Sequence, residues 1–232
     1  MKTIGLIGGT SWETTMQYYR IINQTIREQL DNSHCAKCLL YSVDCYELER
    51  YQNAGDWLSC ADILMNAAST LENGGADFIV LCDVTLHKIA LQIQDCLSIP
   101  LLHIVDAAAD ELLKKGVTKV GLLGSKISAQ HSFYKRKLIE NGIDVCLPDT
   151  EDIALMAATV QKSSSGTDDA AYSSPELLRI VRSLIEKGAE GILVNDPSFN
   201  ALLEQPDADV LLFDPLKIHA TKAAFYSLCI GM

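Results

Sequence analysis

Short apolar, β-branched runs alternate along this chain with longer amphipathic ones, the pattern of parallel strands joined by crossover helices. The predicted strands are Thr3–Ile7, Cys38–Val43, Phe78–Leu81, Leu101–Ile104, Lys119–Leu123, Gly191–Val194 and Val210–Phe213. Between most of them apolar positions recur with the helical period, as at Tyr18, Ile21, Ile22 and Ile26. They predict helices over Glu13–Leu30, Trp57–Asn73, Leu86–Leu97, Asp106–Lys115, Ala129–Asn141, Glu151–Gln161, Pro175–Lys187 and Pro215–Leu228. The polar stretch Lys162–Asp169 interrupts the alternation and reads as a surface loop, with Ser174-Pro175-Glu176 opening the next helix.

The second half of the pattern restates the first. Gly75-Ala76-Asp77-Phe78-Ile79-Val80-Leu81-Cys82-Asp83 aligns without a gap on Gly188-Ala189-Glu190-Gly191-Ile192-Leu193-Val194-Asn195-Asp196, and each copy is followed two places on by a hydroxyl residue, Thr85 or Ser198. Gly5-Leu6-Ile7-Gly8 is echoed by Gly121-Leu122-Leu123-Gly124. The expected fold is therefore α/β, with two pseudo-symmetric parallel-sheet domains, 1–104 plus 213–232 and 105–212. Open parallel sheets bind ligands beyond the carboxyl ends of their strands. That places Asp83 and Asp196 as symmetry mates at an interdomain cleft. Each also suits the N-cap of a following helix, and a cap at a strand end lies at the crevice in either case.

Composition narrows the partners. A formal net charge of −11 without a local Lys/Arg cluster disfavours nucleic acid and anionic lipid, and no apolar run reaches the roughly 20 residues of a membrane helix. The apolar run at the N-terminus is too short for a signal peptide, so the expectation is a soluble, cytoplasmic protein. The eight cysteines are scattered through strand-like and helix-like segments, and most of them read as reduced, buried small hydrophobes, Cys82 among them. His34 with Cys35 and Cys38 has no second ligand pair at zinc spacing, so no metal is expected. Dinucleotide and P-loop glycine patterns are absent.

Gly5-Leu6-Ile7-Gly8-Gly9-Thr10-Ser11-Trp12-Glu13-Thr14-Thr15, Tyr18-Tyr19-Arg20, Ser42-Val43-Asp44, Leu81-Cys82 with Thr85 and His87, Leu102-His103-Ile104 and Ile218-His219-Ala220 together resemble the cofactor-independent aspartate/glutamate racemases. The resemblance covers essentially the whole chain. It implies two α/β domains related by a pseudo-dyad, a homodimer, no cofactor, and a small carboxylate-bearing substrate in the interdomain cleft. Typical members present one cysteine after a strand in each half, and the two thiols remove and return an α-proton from opposite faces. Aligning Thr85 with the motif threonine puts Asp83 at the first cysteine position, and aligning Asn195-Asp196-Pro197-Ser198 with the second motif puts Asp196 at the other. Val84 then stands where relatives have asparagine, and Leu155 where they have a substrate-holding lysine.

Two carboxyls sharing a site divide one proton between them, as two-base stereoinversion requires. Against this, a carboxylate with a reference pKa near 3.9 is a weaker base than a thiolate near 8.5, a deficit of about 6 kcal/mol. Three readings follow. The first is a racemase or epimerase with Asp83 and Asp196 as alternating acid and base. The second is other isomerase, lyase or hydrolase chemistry on a related acid, and the third a ligand-binding homologue without catalysis. Candidate substrate contacts are Gly9, Thr10 and Ser11 after the first strand, Ser125 after its counterpart, the hydroxyls of Thr85 and Ser198, and His87 one turn beyond Asp83. The glycine turns serve equally as carboxylate cradles or as plain strand-to-helix connections, and His103 and His219 as cleft residues or structural ones.

Overall fold

The computed structural model describes residues 1–124, 132–164, 175–196, 199 and 211–230. The chain divides into two compact units, Met1–Ala107 with Leu216–Met232, and Ala108–Pro215.

Both units are built on a four-stranded parallel sheet with the same strand order. In the first, β1 (Ile4–Gly8), β2 (Cys38–Ser42), β3 (Phe78–Leu81) and β4 (Leu101–Leu102) lie in the order β2-β1-β3-β4. In the second, β5 (Lys119–Leu123), β6 (Asp144–Cys146), β7 (Gly191–Val194) and β8 (Leu211–Phe213) lie in the order β6-β5-β7-β8. The α-helices are α1 (Trp12–Gln29), α2 (Cys45–Ala54), α3 (Trp57–Asn73), α4 (Ala90–Asp95), α5 (Ile104–Lys114), α6 (Ser132–Glu140), α7 (Thr150–Ser164), α8 (Pro175–Glu186) and α9 (Pro215–Ser227). A 3-10 turn, Thr85–Ile89, precedes α4. Among the described residues no helix is long and apolar enough to cross a membrane.

The first sheet is covered on both faces, so β1 and β3 read as continuous apolar runs. Ile7, Ile79 and Leu81 pack with Leu64, Ala67, Ala68 and Leu71 of α3. Ile4, Leu6, Phe78, Val80 and Cys82 pack with Tyr18, Ile22 and Ile26 of α1 and Ala220, Ala223 and Ala224 of α9.

The sequence repeat is reproduced bond for bond at the entry to β3 and β7. Gly75 and Gly188 close the preceding helices at φ +95° and +90°. Ala76 N–H then donates to the Leu71 carbonyl and Ala189 N–H to the Leu184 carbonyl, each at 3.0 Å. Asp77 and Glu190 next receive a backbone N–H from the neighbouring strand, Thr3 at 2.6 Å and Lys119 at 3.1 Å. Glycine in the central strand has the same cause in both units: a Cβ at Gly5 would lie 2.7 Å from Ile79 Cδ1, and one at Gly121 would lie 2.6 Å from Ile192 Cδ1.

Several element boundaries differ from the sequence expectation. Helix α2 and strand β6 have no counterpart among the predicted elements. The strand predicted over Leu101–Ile104 stops at Leu102, because His103 caps α5: its carbonyl accepts Ala107 N–H at 3.0 Å and its Nδ1 accepts Val105 N–H at 3.1 Å. The single helix predicted over Leu86–Leu97 is instead a 3-10 turn followed by α4. The loop predicted from Lys162 begins as helix, since α7 runs to Ser164; backbone i to i+4 bonds continue through polar residues as well as apolar ones. The rest of that loop, Val210 and the start of the helix predicted from Ala129 lie outside the described residues.

Candidate active site

Strands β1 and β3 are adjacent, with Ile7 paired to Leu81, so the segments leaving their carboxyl ends meet in one place. The β1 segment is pinned tightly. Gly9 has φ +109°, and a Cβ there would sit 2.2 Å from the Val43 carbonyl oxygen, so glycine is obligatory. Gly9 N–H donates to Thr15 Oγ1 at 3.2 Å, and Thr15 Oγ1 donates to the Ser11 carbonyl at 2.9 Å. Ser11 is the N-cap of α1, its Oγ accepting Thr14 N–H at 3.1 Å and donating to Glu13 Oε2 at 2.9 Å. Ser11 is thus committed to the helix. Thr10 is not: its Oγ1 is buried and makes no hydrogen bond among the described residues.

Asp83 stands two residues beyond Leu81, half-buried. Its Oδ1 accepts Thr85 N–H at 2.7 Å and Leu86 N–H at 3.1 Å, which draws the following residues into the 3-10 turn. Oδ2 takes no hydrogen bond from the described residues. Asp83 therefore fills the capping role and still presents one carboxylate oxygen.

In the second unit the same strand-end backbone bond recurs. Cys82 N–H donates to the Ile7 carbonyl at 2.8 Å, and Asn195 N–H donates to the Leu123 carbonyl at 2.7 Å, so Asp83 and Asp196 follow equivalent sheet bonds. Asp196 is half-buried and its carbonyl accepts Phe199 N–H at 3.0 Å. Asn195, buried at the end of β7, holds the position of Cys82 in β3. It is absent from the residues that sequence reasoning nominates for the site, although the repeat pairs it with Cys82. Ser125 and Ser198 lie outside the described residues. Leu155, on α7, is 40% exposed.

The thiol and imidazoles near Asp83 are turned inward. Cys82 is fully buried among the α1 and α9 side chains, and burial, with the Asp83 charge, pushes its thiol far above the usual range. His219 Nε2 faces the Leu102 carbonyl at 3.0 Å, and a carbonyl only accepts, so Nε2 carries the proton. Its Nδ1 must then accept the Tyr18 O–H at 2.8 Å. The ring is locked in one neutral tautomer, and burial pushes its pKa down to about 3. His87 is 2% exposed, with Nδ1 accepting Ile104 N–H at 3.5 Å and no well-aligned bond at Nε2 among the described residues. Burial, then the neighbouring imidazoles, keep it neutral well below the ordinary histidine range. Its ring centroid is 4.7 Å from that of His103 and 5.3 Å from that of His219. These rings knit the 3-10 turn to β4, α5 and α9. Among the described residues no group of three His, Cys, Asp or Glu side chains is arranged to hold a metal ion.

Two parallel sheets of the same strand order, each followed at the end of its third strand by an aspartate, define a protein of two similar α/β units with a carboxylate beyond each of those strand ends. The Asp/Glu/Hydantoin racemase family matches residues 7–223, and the chain belongs to that family. A Yersinia pestis protein provisionally assigned as an Asp/Glu racemase is 39% identical, with a TM-score of 0.92 over 98% of this chain and 100% of that one. An aspartate racemase homologue from Pyrococcus horikoshii is 30% identical, with a TM-score of 0.87 over 98% and 100% of the two chains. The broad-specificity amino-acid racemase RacX of Bacillus subtilis is 28% identical over 154 residues. That match spans 65% of this chain and 65% of RacX, so just under two thirds of the curated relative is covered.

Proposed function

We propose that this chain racemises or epimerises a small amino acid of the aspartate/glutamate class without pyridoxal phosphate, using Asp83 and Asp196 as paired acid and base. The reading is supported by one observation above the others: the two aspartates follow the same backbone bond, Cys82 to Ile7 and Asn195 to Leu123, in two sheets of the same strand order. Family membership and the relatives' racemase names support the reaction type and the substrate class.

In the proposed cycle the ionised aspartate takes the α-hydrogen as a proton, and the C–H electron pair delocalises into the substrate carboxyl group. The protonated aspartate delivers its proton to the opposite face. Configuration is inverted, and the enzyme is left with its proton on the other carboxyl, ready for the reverse direction. Asp83 is suited to this because Oδ1 is fixed by two backbone N–H groups while Oδ2 remains for the proton. The buried Thr10 hydroxyl is proposed to donate to the substrate carboxylate, which would supply its missing partner. A carboxylate base lies about 6 kcal/mol below a thiolate in proton affinity, so the expected turnover is slow for the family.

Chiral chromatography of aspartate, glutamate and their homologues incubated with the enzyme tests the proposal. Asp83→Asn and Asp196→Asn are each expected to lower turnover at least about 100-fold. The asparagine carbonyl can still accept the Thr85 and Leu86 N–H groups, so the fold should survive, as circular dichroism would verify. Wild-type turnover in both variants would overturn the two-carboxylate mechanism.

A further inference from the structure

The 3-10 turn that follows Asp83 buries three side chains. Leu86 and Ile89 enter the apolar core beside α3, whereas the third, His87, is polar and only 2% exposed. An imidazole buried so completely is unfavourable against an apolar side chain of similar size unless its nitrogens have partners to hold.

Nδ1 holds one. Ile104 opens α5, and the first N–H groups of a helix have no acceptor within it; Ile104 N–H donates to His87 Nδ1 at 3.5 Å. The Leu81 carbonyl, at the end of β3, acts on the same ring. His87 N–H donates to the Val84 carbonyl at 3.2 Å, and the His87 carbonyl accepts Ala90 N–H. One residue therefore joins the end of β3, the turn and the start of α5. Asp83 lies inside the loop so closed, and its Oδ1 holds Thr85 and Leu86 N–H from within. The two clamps act in series: Asp83 fixes its carboxylate to the turn, and His87 fixes the turn to α5.

The neighbouring rings restrict His87 further. Its centroid is 4.7 Å from that of His103 and 5.3 Å from that of His219. Both are pinned through the same nitrogen, His103 Nδ1 by Val105 N–H at 3.1 Å and His219 Nδ1 by Tyr18 O–H at 2.8 Å. All three imidazoles accept at Nδ1 and keep their proton on Nε2. His87 cannot take a second proton at Nδ1 without releasing α5, and a ring closed off from solvent does not touch a ligand. The substrate contact that the sequence suggests for His87 gives way to a mechanical task.

We propose that His87 is the positioning residue of Asp83: its Nδ1, by anchoring the 3-10 turn to α5, holds the Asp83 carboxylate in the orientation that meets the substrate α-hydrogen. The assignment rests on the reading of Asp83 as an acid–base residue. Misplacing a reacting group by about 1 Å costs up to about 100-fold in rate, so loss of the anchor should appear in kcat more than in KM.

Two substitutions that keep or move the acceptor test this. In His87→Asn the side-chain carbonyl falls where Nδ1 was. In His87→Gln, nearer to histidine in volume, the polar end lies one bond farther out and that acceptor is lost. Simple space-filling favours glutamine; the anchor favours asparagine. Hydrogen exchange of the Thr85 and Leu86 amides, followed by NMR without substrate, is expected to quicken at least about tenfold in His87→Gln while the β3 amides keep their protection. Its kcat should fall about 10- to 100-fold with KM changed much less, and His87→Asn should recover most of both properties. Glutamine matching the wild type, asparagine as impaired as glutamine, or exchange quickening equally throughout the first unit would overturn the assignment. Asp83→Asn, measured alongside, separates the two claims. Full turnover there overturns the two-carboxylate reading, whereas reduced turnover there with His87→Gln like the wild type overturns the role of His87 alone.

Discussion

An unsatisfied buried hydroxyl costs about 1–3 kcal/mol, and in the β1–α1 connection Thr10 Oγ1 finds no hydrogen-bond partner among the described residues. Gly9 is fixed by the Val43 carbonyl, Ser11 by the helix it caps, and Thr15 by bonds to both sides of the turn. The proposed ligand contact would supply a partner for Thr10, and Thr10→Val tests it by removing the hydroxyl at nearly constant shape. The variant is expected to melt at or above the wild-type temperature while its KM for the carboxylate substrate rises about tenfold, on the scale of one lost charge-assisted hydrogen bond. A lower melting temperature with unchanged KM would make Thr10 a structural residue. Of these residues the sequence displays the glycines, the serine cap and Asp83. It does not display which hydroxyl is already bonded, because that depends on Thr15 folding back four residues to the Ser11 carbonyl.

Legibility at the scale of elements follows burial. Strands β3 and β7 have the boundaries their sequences predict because every residue in them is buried, which leaves an unbroken apolar run. Helix α2 is illegible because Leu48 is its one buried residue, so it carries no apolar stripe. Strand β6 is illegible because its three residues at a sheet edge have no apolar pattern. The histidines, visible in the sequence as candidate cleft residues, fasten elements together: His219 ties α9 to α1 and β4, and His87 ties the 3-10 turn to α5. This fastening has a pH signature. The folded pKa of His219 is about 3 against an unfolded value near 6.5, and His87 is shifted in the same direction. Between those values the unfolded chain binds more protons than the folded one, so stability is complete above pH 6.5 and falls as pH drops below it. Urea unfolding between pH 6.5 and 5 is expected to lose up to about 1.4 kcal/mol per pH unit for each such histidine. His219→Gln should flatten that slope. A slope unaltered by the substitution would show that other groups cause it.

Across the whole molecule, duplication is what makes the candidate site legible in the sequence. The gapless match of Gly75–Asp83 to Gly188–Asp196 survives because each residue in it has a backbone task performed twice: a left-handed glycine, a carboxylate clamping the neighbouring strand, a buried strand and a turn. Thiol chemistry does not share that duplication, since Cys82 is buried and its counterpart is Asn195. The proposal that Asp83 and Asp196 move the α-proton of one substrate is tested by proton NMR of L- and D-aspartate and glutamate in deuterated water with the protein. The expected result is loss of the α-proton signal in step with stereoinversion, with product α-deuterated and otherwise unchanged, and both processes abolished in Asp83→Asn and in Asp196→Asn. Exchange and inversion continuing at the wild-type rate in both variants would contradict it.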